Sequence, residues 1–66
     1  MHVVVNGRDM DVEAGKTVAA LLADFRLQPK YVAVEVNREL VPRRNFEATQ
    51  LQEGDHVEIV TLVGGG

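Results

Sequence analysis

The sequence predicts an α+β fold, a mixed sheet of four to five strands with one main helix packed on one face. Three observations predict it. Two short apolar runs flank Asn6-Gly7 near the start. Val18, Leu21, Leu22 and Phe25 then recur at the spacing of one helical face. Finally, Val32, Val34 and Val36, and again the run from His56 to Leu62, alternate with a period of two. With 66 residues there is room for one small domain. A chain of that length buries only about 60% of its unfolded surface, so local signals must be good.

The first two strands are expected at about 2–6 and 9–13, because Asn and Gly both accept the positive φ of a tight hairpin turn. Val3 and Val5 share one face there and Val4 takes the other. In the second strand Met10 and Val12 alternate with Asp9, Asp11 and Glu13, which makes it half exposed. Thr17 stands where a helix N-cap belongs. The helix is expected over about 17–26, with Val18, Leu21, Leu22 and Phe25 as its buried stripe, and Pro29 closes the segment. The third strand is Tyr31 to Val36. Asn37-Arg38 turns the chain into a short strand, Glu39-Leu40-Val41, which Pro42 ends or confines to an edge. Residues 43 to 53 show no sustained period and read as a loop or a single helical turn, with Phe46 and Leu51 pinning it to the core. Gly54-Asp55 is a turn. The last strand is His56 to Leu62, with Val57, Ile59 and Thr61 on one face and Glu58, Val60 and Leu62 on the other.

A hairpin, a crossing helix and further strands match the β-grasp, or ubiquitin-like, arrangement. In that arrangement the last strand is central. The chain then divides into a β-grasp domain at 1–62 and a flexible glycine tail at 63–66. Glycine loses the most conformational freedom on ordering, so Gly64-Gly65-Gly66 is expected to be mobile while its origin is fixed.

Composition excludes several function classes. There are no cysteines, which removes disulfides, thiolate metal sites and cysteine nucleophiles. The net charge is −3 and the seven basic residues are scattered, so no basic stripe recommends nucleic acid. No apolar run approaches the roughly 20 residues of a membrane span, and the start lacks signal-peptide character. A soluble cytoplasmic protein is the expectation. Hydrophobic residues make up 45%, too many for a disordered chain.

The candidate sites are few. His2 and His56 are the only histidines and make a poor zinc constellation, so both read as surface or strand-end residues. Asp9, Asp11 and Glu13 read as the wet face of a strand. No phosphate loop, dinucleotide fingerprint or nucleophile triad appears. No metal, catalytic residue or resident cofactor is expected. An apolar pair on the outer face of a sheet, Val60 and Leu62, is a candidate docking patch beside the tail. Arg43-Arg44 after Pro42 reads by default as a solvated loop and alternatively as a contact for an anionic partner surface; Arg43 and Val63 are grouped with the patch. The glycines offer thinness and reach, so they can enter a channel too narrow for side chains. The chemical group they carry is the Gly66 carboxylate.

The chain resembles the ThiS family of sulfur carriers of thiamine (thiazole) biosynthesis over essentially its whole length. The match is carried by Val5-Asn6-Gly7, Gly15-Lys16-Thr17-Val18 with Leu21-Leu22, and Val34-Glu35-Val36-Asn37. It continues through Val41-Pro42-Arg43, Leu51 with Gly54-Asp55, Val57-Glu58-Ile59-Val60 and Val63-Gly64-Gly65-Gly66. The resemblance implies a carrier rather than an enzyme, monomeric when free. It implies that an adenylyltransferase similar to ubiquitin-activating enzymes uses ATP to adenylate Gly66. A cysteine desulfurase or rhodanese-type donor then supplies sulfur, and thiazole synthase takes it from the thiocarboxylate. Gly65 and Gly64 are the access tether. Three alternatives stay open at this stage: the small subunit of molybdopterin synthase, a carrier for cysteine or methionine synthesis, and a β-grasp interaction module without covalent chemistry. Val41-Pro42-Arg43 and the short chain favour the thiazole branch over the first.

Overall fold

A computed structural model describes residues 1–62. The expected boundary between domain and tail, and the expected mobility of residues 63–66, lie outside the described residues. Five strands form one sheet in the order β2-β1-β5-β3-β4. They are β1 (His2–Val5), β2 (Arg8–Asp11), β3 (Val32–Val36), β4 (Glu39–Val41) and β5 (His56–Thr61), with one helix, α1 (Val18–Asp24). β5 is central, parallel to β1 and antiparallel to β3. This is the β-grasp architecture expected from the element order.

The hairpin forms as the Asn-Gly signal dictates, with φ of 51° at Asn6 and 80° at Gly7. A two-residue turn fixes the register Val5↔Arg8, so β2 starts one residue before the expected strand. It also ends earlier than expected. Val12 still exchanges hydrogen bonds with Met1, but the Glu13 carbonyl accepts from the Lys16 N–H and turns the chain away.

Helix α1 is shorter than its expected span at both ends. Thr17 is the cap, not a helical residue: its Oγ1 accepts from the Ala20 N–H at 3.1 Å. The two other free N–H groups of the first turn find partners in the loop that sequence periodicity left blank. Val18 N–H donates to the Thr49 carbonyl and Ala19 N–H to the Phe46 carbonyl. That loop carries a short 3-10 turn, Arg43–Asn45. Phe46 and Leu51 are buried, as expected.

At the other end Phe25 is corrected. It was expected as the last member of the buried stripe, yet it is the C-cap and is 38% exposed. The reason is a Schellman motif. Leu27 N–H donates to the Leu22 carbonyl, Arg26 N–H donates to the Ala23 carbonyl, and Arg26 takes a φ of 59°. The left-handed residue swings the chain off the helix axis before Phe25 can complete the stripe. Leu27 packs against the core in its place.

The core lies between α1 and one face of the sheet. Val18, Leu21 and Leu22 of the helix meet Val3, Val5, Val32, Val34, Val57 and Ile59 of the strands, all buried. Cross-strand register puts Val34 opposite Ile59 and Val36 opposite Val57 on that same face.

Candidate functional site

The site is built from the strand that the rest of the sheet holds. β5 has a strand on either side, and both turn asparagines are locked to its backbone. Asn6 accepts from the Ile59 N–H through Oδ1 at 2.8 Å and donates through Nδ2 to the Ile59 carbonyl at 3.2 Å. Asn37 accepts from the His56 N–H through Oδ1 at 2.9 Å and donates through Nδ2 to Oδ1 of buried Asp55 at 2.9 Å. The other Asp55 oxygen accepts from the Gln52 N–H. A left-handed backbone at each asparagine aims its short amide sideways at the neighbouring strand. The sequence marked Asn6 and Asn37 only as turn formers. Their second role has no periodic signature, because it needs the fold to bring β5 alongside.

β5 therefore presents its outward residues from a fixed frame. Val60 is 58% exposed and Leu62 is 52% exposed. Both stand on the face away from α1, as expected. Val60 pairs in register with Ala33, and the Leu62 N–H donates to the Tyr31 carbonyl at 2.7 Å. That bond anchors the chain immediately before Val63. Val63, Gly64, Gly65 and Gly66, the remaining expected site residues, lie outside the described residues. Arg43 is exposed, but it sits on the 3-10 turn beyond edge strand β4 and not on the strand face that carries Val60 and Leu62.

Two further exposed apolar side chains join the outer face or its rim. Leu40 of β4 is 67% exposed and pairs with Glu35, which puts it on the outer side. Tyr31 lies beside Leu62 with the Lys30 ammonium 5.1 Å from its ring centre. Leu40 was open to discovery from sequence. Val41 is its inward neighbour, and alternation alone turns Leu40 out.

The histidines are both exposed. His2 Nε2 lies 3.1 Å from Asp9 Oδ1, and His56 stands at the start of β5. Among the described residues no group of three or more His, Asp or Glu side chains is placed to hold a metal ion. Among them, too, no helix is long and apolar enough to cross a membrane.

A sheet of order 2-1-5-3-4 clasping one helix, with exposed Val60 and Leu62 ahead of a glycine tail in the sequence, defines a ubiquitin-like β-grasp protein. The ThiS family model matches residues 3–66. This chain belongs to the ThiS family. A crystal structure of the thiamine biosynthesis protein ThiS from Geobacter metallireducens superposes with a TM-score of 0.85 at 38% identity, covering 100% of both chains. The sulfur carrier protein ThiS of Bacillus subtilis is 36% identical over 63 residues, which are 94% of this chain and 96% of that one. A thiazole synthase of Paramagnetospirillum magneticum is 39% identical over all 66 residues, but the chain spans only 20% of that protein's length. The same share holds for a thiazole synthase of Magnetococcus marinus.

Proposed function

We propose that this chain is a cytoplasmic sulfur carrier of thiamine biosynthesis, acting through a thiocarboxylate formed on Gly66. The observation that carries the reading is the family match, which spans residues 3–66 and so includes the last glycine. The geometry supports it. The central strand β5 ends at Thr61, one residue short of the tail, and Leu62 is held by its N–H to the Tyr31 carbonyl, so a partner that grips the outer face of β5 docks beside the start of the tail.

The chemistry follows from the carboxylate itself. At neutral pH a terminal carboxylate, with an ordinary pKa of about 3.3–3.7, is an anion and resists nucleophiles. An adenylyltransferase removes that resistance by joining the carboxylate oxygen to the AMP group of ATP, with release of pyrophosphate. The outer sulfur of a persulfide-type donor then displaces AMP at the acyl carbon to give an acyl disulfide. A thiol reductant cleaves its S–S bond, returning the donor as a thiol and leaving the thiocarboxylate; the net change on the carrier is sulfur for one oxygen. On this reading the carrier is the substrate, and the ATP site and the catalysis belong to the adenylyltransferase. The carrier supplies an acyl group on a thread thin enough to enter two different active sites. Ordering that thread costs on the order of 1–2 kcal/mol per residue, which docking of Val60 and Leu62 offsets. Thiazole synthase is the acceptor. The two relatives bearing that name support this, because in each a ThiS-like stretch makes up a fifth of the chain.

The test is intact mass after incubation with the adenylyltransferase, ATP, a sulfur donor and reductant. A gain equal to sulfur replacing one oxygen, absent when Gly66 is deleted, is expected. The deletion should leave the thermal midpoint nearly unchanged, since a glycine has no side chain to bury. An unchanged mass in the presence of a demonstrably active adenylyltransferase sinks the carrier reading.

A further inference from the structure

The outer face of the sheet contains a pairing that the fold itself does not want. Glu35 of β3 and Glu58 of β5 are direct antiparallel partners. Side chains at such positions stand about 4.5–5.5 Å apart at Cβ, and like charges there are destabilising. Among the described residues neither carboxylate makes an ion pair: the charged contacts there join His2 to Asp9 and Lys16 to Glu13 and Asp24. Leu40 flanks Glu35 on the same rung. The next rung on the same face is Ala33 with Val60. Rungs on one face are spaced about 6.6–6.8 Å apart, twice the rise per residue.

We infer that Glu35 and Glu58 form the receptor for a cationic side chain, an arginine or lysine, on the protein that docks on this face. The inference rests on the carrier reading and adds to it the charge of the partner. A protein interface of ordinary size covers about 800 Å² on each side. One that covers Val60 and Leu62 therefore also covers the rung beside them. Two carboxylates buried there without a counter-charge would carry a desolvation penalty of several kcal/mol per ion. The docking partner must bring positive charge set among apolar groups. A planar guanidinium, which can accept two carboxylates at once, fits best.

The same charge argues against a second copy of the chain as the occupant. Stacking two outer faces would gather four carboxylates in an apolar setting, on protomers that each carry a net charge of −3. The partner is a different protein.

The experiment uses the whole chain and the purified adenylyltransferase as the probe, with affinity measured by calorimetry at 50, 150 and 400 mM NaCl, salt levels chosen to span a Debye length of about 14 Å to 5 Å. The variants are Glu35→Gln with Glu58→Gln, and Glu58→Gln alone as the milder change at an exposed position. The expected result is a loss of affinity of at least tenfold for the double variant and a flatter salt dependence than wild type. Its thermal midpoint stays level or rises, because the repulsion has gone. A structural role for the pair would instead lower the midpoint. Wild-type affinity and salt slope in both variants overturn the inference and leave the carrier reading standing. Absence of any binding by the wild-type chain overturns both. Dimerisation of the free wild-type chain that is lost in Val60→Asp would also overturn the inference, by assigning the face to a second copy.

Discussion

β5 has two faces, and neighbouring residues along it live under different rules. Val57 and Ile59 point at α1 and are 1% and 8% exposed. Glu58 and Val60 point the other way and are open to solvent. On the helix side the charge at the margin is paired: Lys16 Nζ sits 2.6 Å from Asp24 Oδ2 and 3.6 Å from Glu13 Oε1. On the outer side two glutamates are paired across β3 and β5, and among the described residues neither makes an ion pair, although Arg38 and His56 line the same cleft as Glu58. The inner sequence is what packing requires. The outer sequence keeps a valine, two leucines and a like-charge pair that packing does not require; the exposed apolar side chains cost solubility and the pair costs stability. Residues that the fold does not need are the ones to read for partners.

The largest expected effect breaks the comparison if it fails. Val57→Asp puts an unpaired carboxylate into the core and should destabilise by about 3–5 kcal/mol, enough to unfold a domain this small. Val60→Asp, three residues along the same strand, should cost no more than about 1 kcal/mol while weakening binding to the adenylyltransferase. Circular dichroism melts and calorimetry read the two quantities separately. Equal destabilisation by both changes would mean that the outer face is also structural.

An intermediate effect tests what holds β5 in its frame. Asn6→Ala removes both amide bonds to Ile59 and leaves that strand's N–H and carbonyl without their partners. A loss of about 1–3 kcal/mol is expected in denaturant melts. Asn6→Asp restores the acceptor toward the Ile59 N–H but not the donor, and should fall between. An alanine variant as stable as wild type would show that the ladder to β1 and β3 suffices.

The element order, the central position of β5 and the direction of Val60 and Leu62 were legible in the sequence. The element order and the direction of the outer residues rest on helical and period-two spacing and on turn chemistry within a few residues, and the central place of β5 follows from the β-grasp arrangement that this order matches. Three features were not legible. Phe25 kept perfect helical spacing, but the spacing says nothing about an arginine taking a left-handed conformation one residue later. The loop at 43–51 has no period because its work is done by carbonyls, Thr49 and Phe46 among them, that satisfy the first turn of α1. The meeting of Glu35 and Glu58 depends on the register between β3 and β5, which are separated by the nineteen residues 37–55. Register at that separation is set by the packed face. The pair follows from Val34 facing Ile59 and Val36 facing Val57, and the glutamates between them have no say.

The smallest effect sharpens the contrast between paired and unpaired charge. The Lys16 ammonium titrates above its ordinary value of 10.5, chiefly because of its hydrogen bond to Asp24 and against a smaller opposing effect of burial. A raised pKa means that the folded state holds this proton more tightly than the unfolded state does. The contribution is therefore complete below pH 10.5 and fades as the pH climbs through the raised value. Lys16→Met should lower the thermal midpoint slightly and by a constant amount from pH 7 upward, and the gap to wild type should close only above pH 10.5. A gap that closes near neutrality would mean that another group carries the effect. A gap that never closes would mean that the lysine acts through its apolar stem, packed beside the helix, and that the helix side of the molecule owes nothing to its charge.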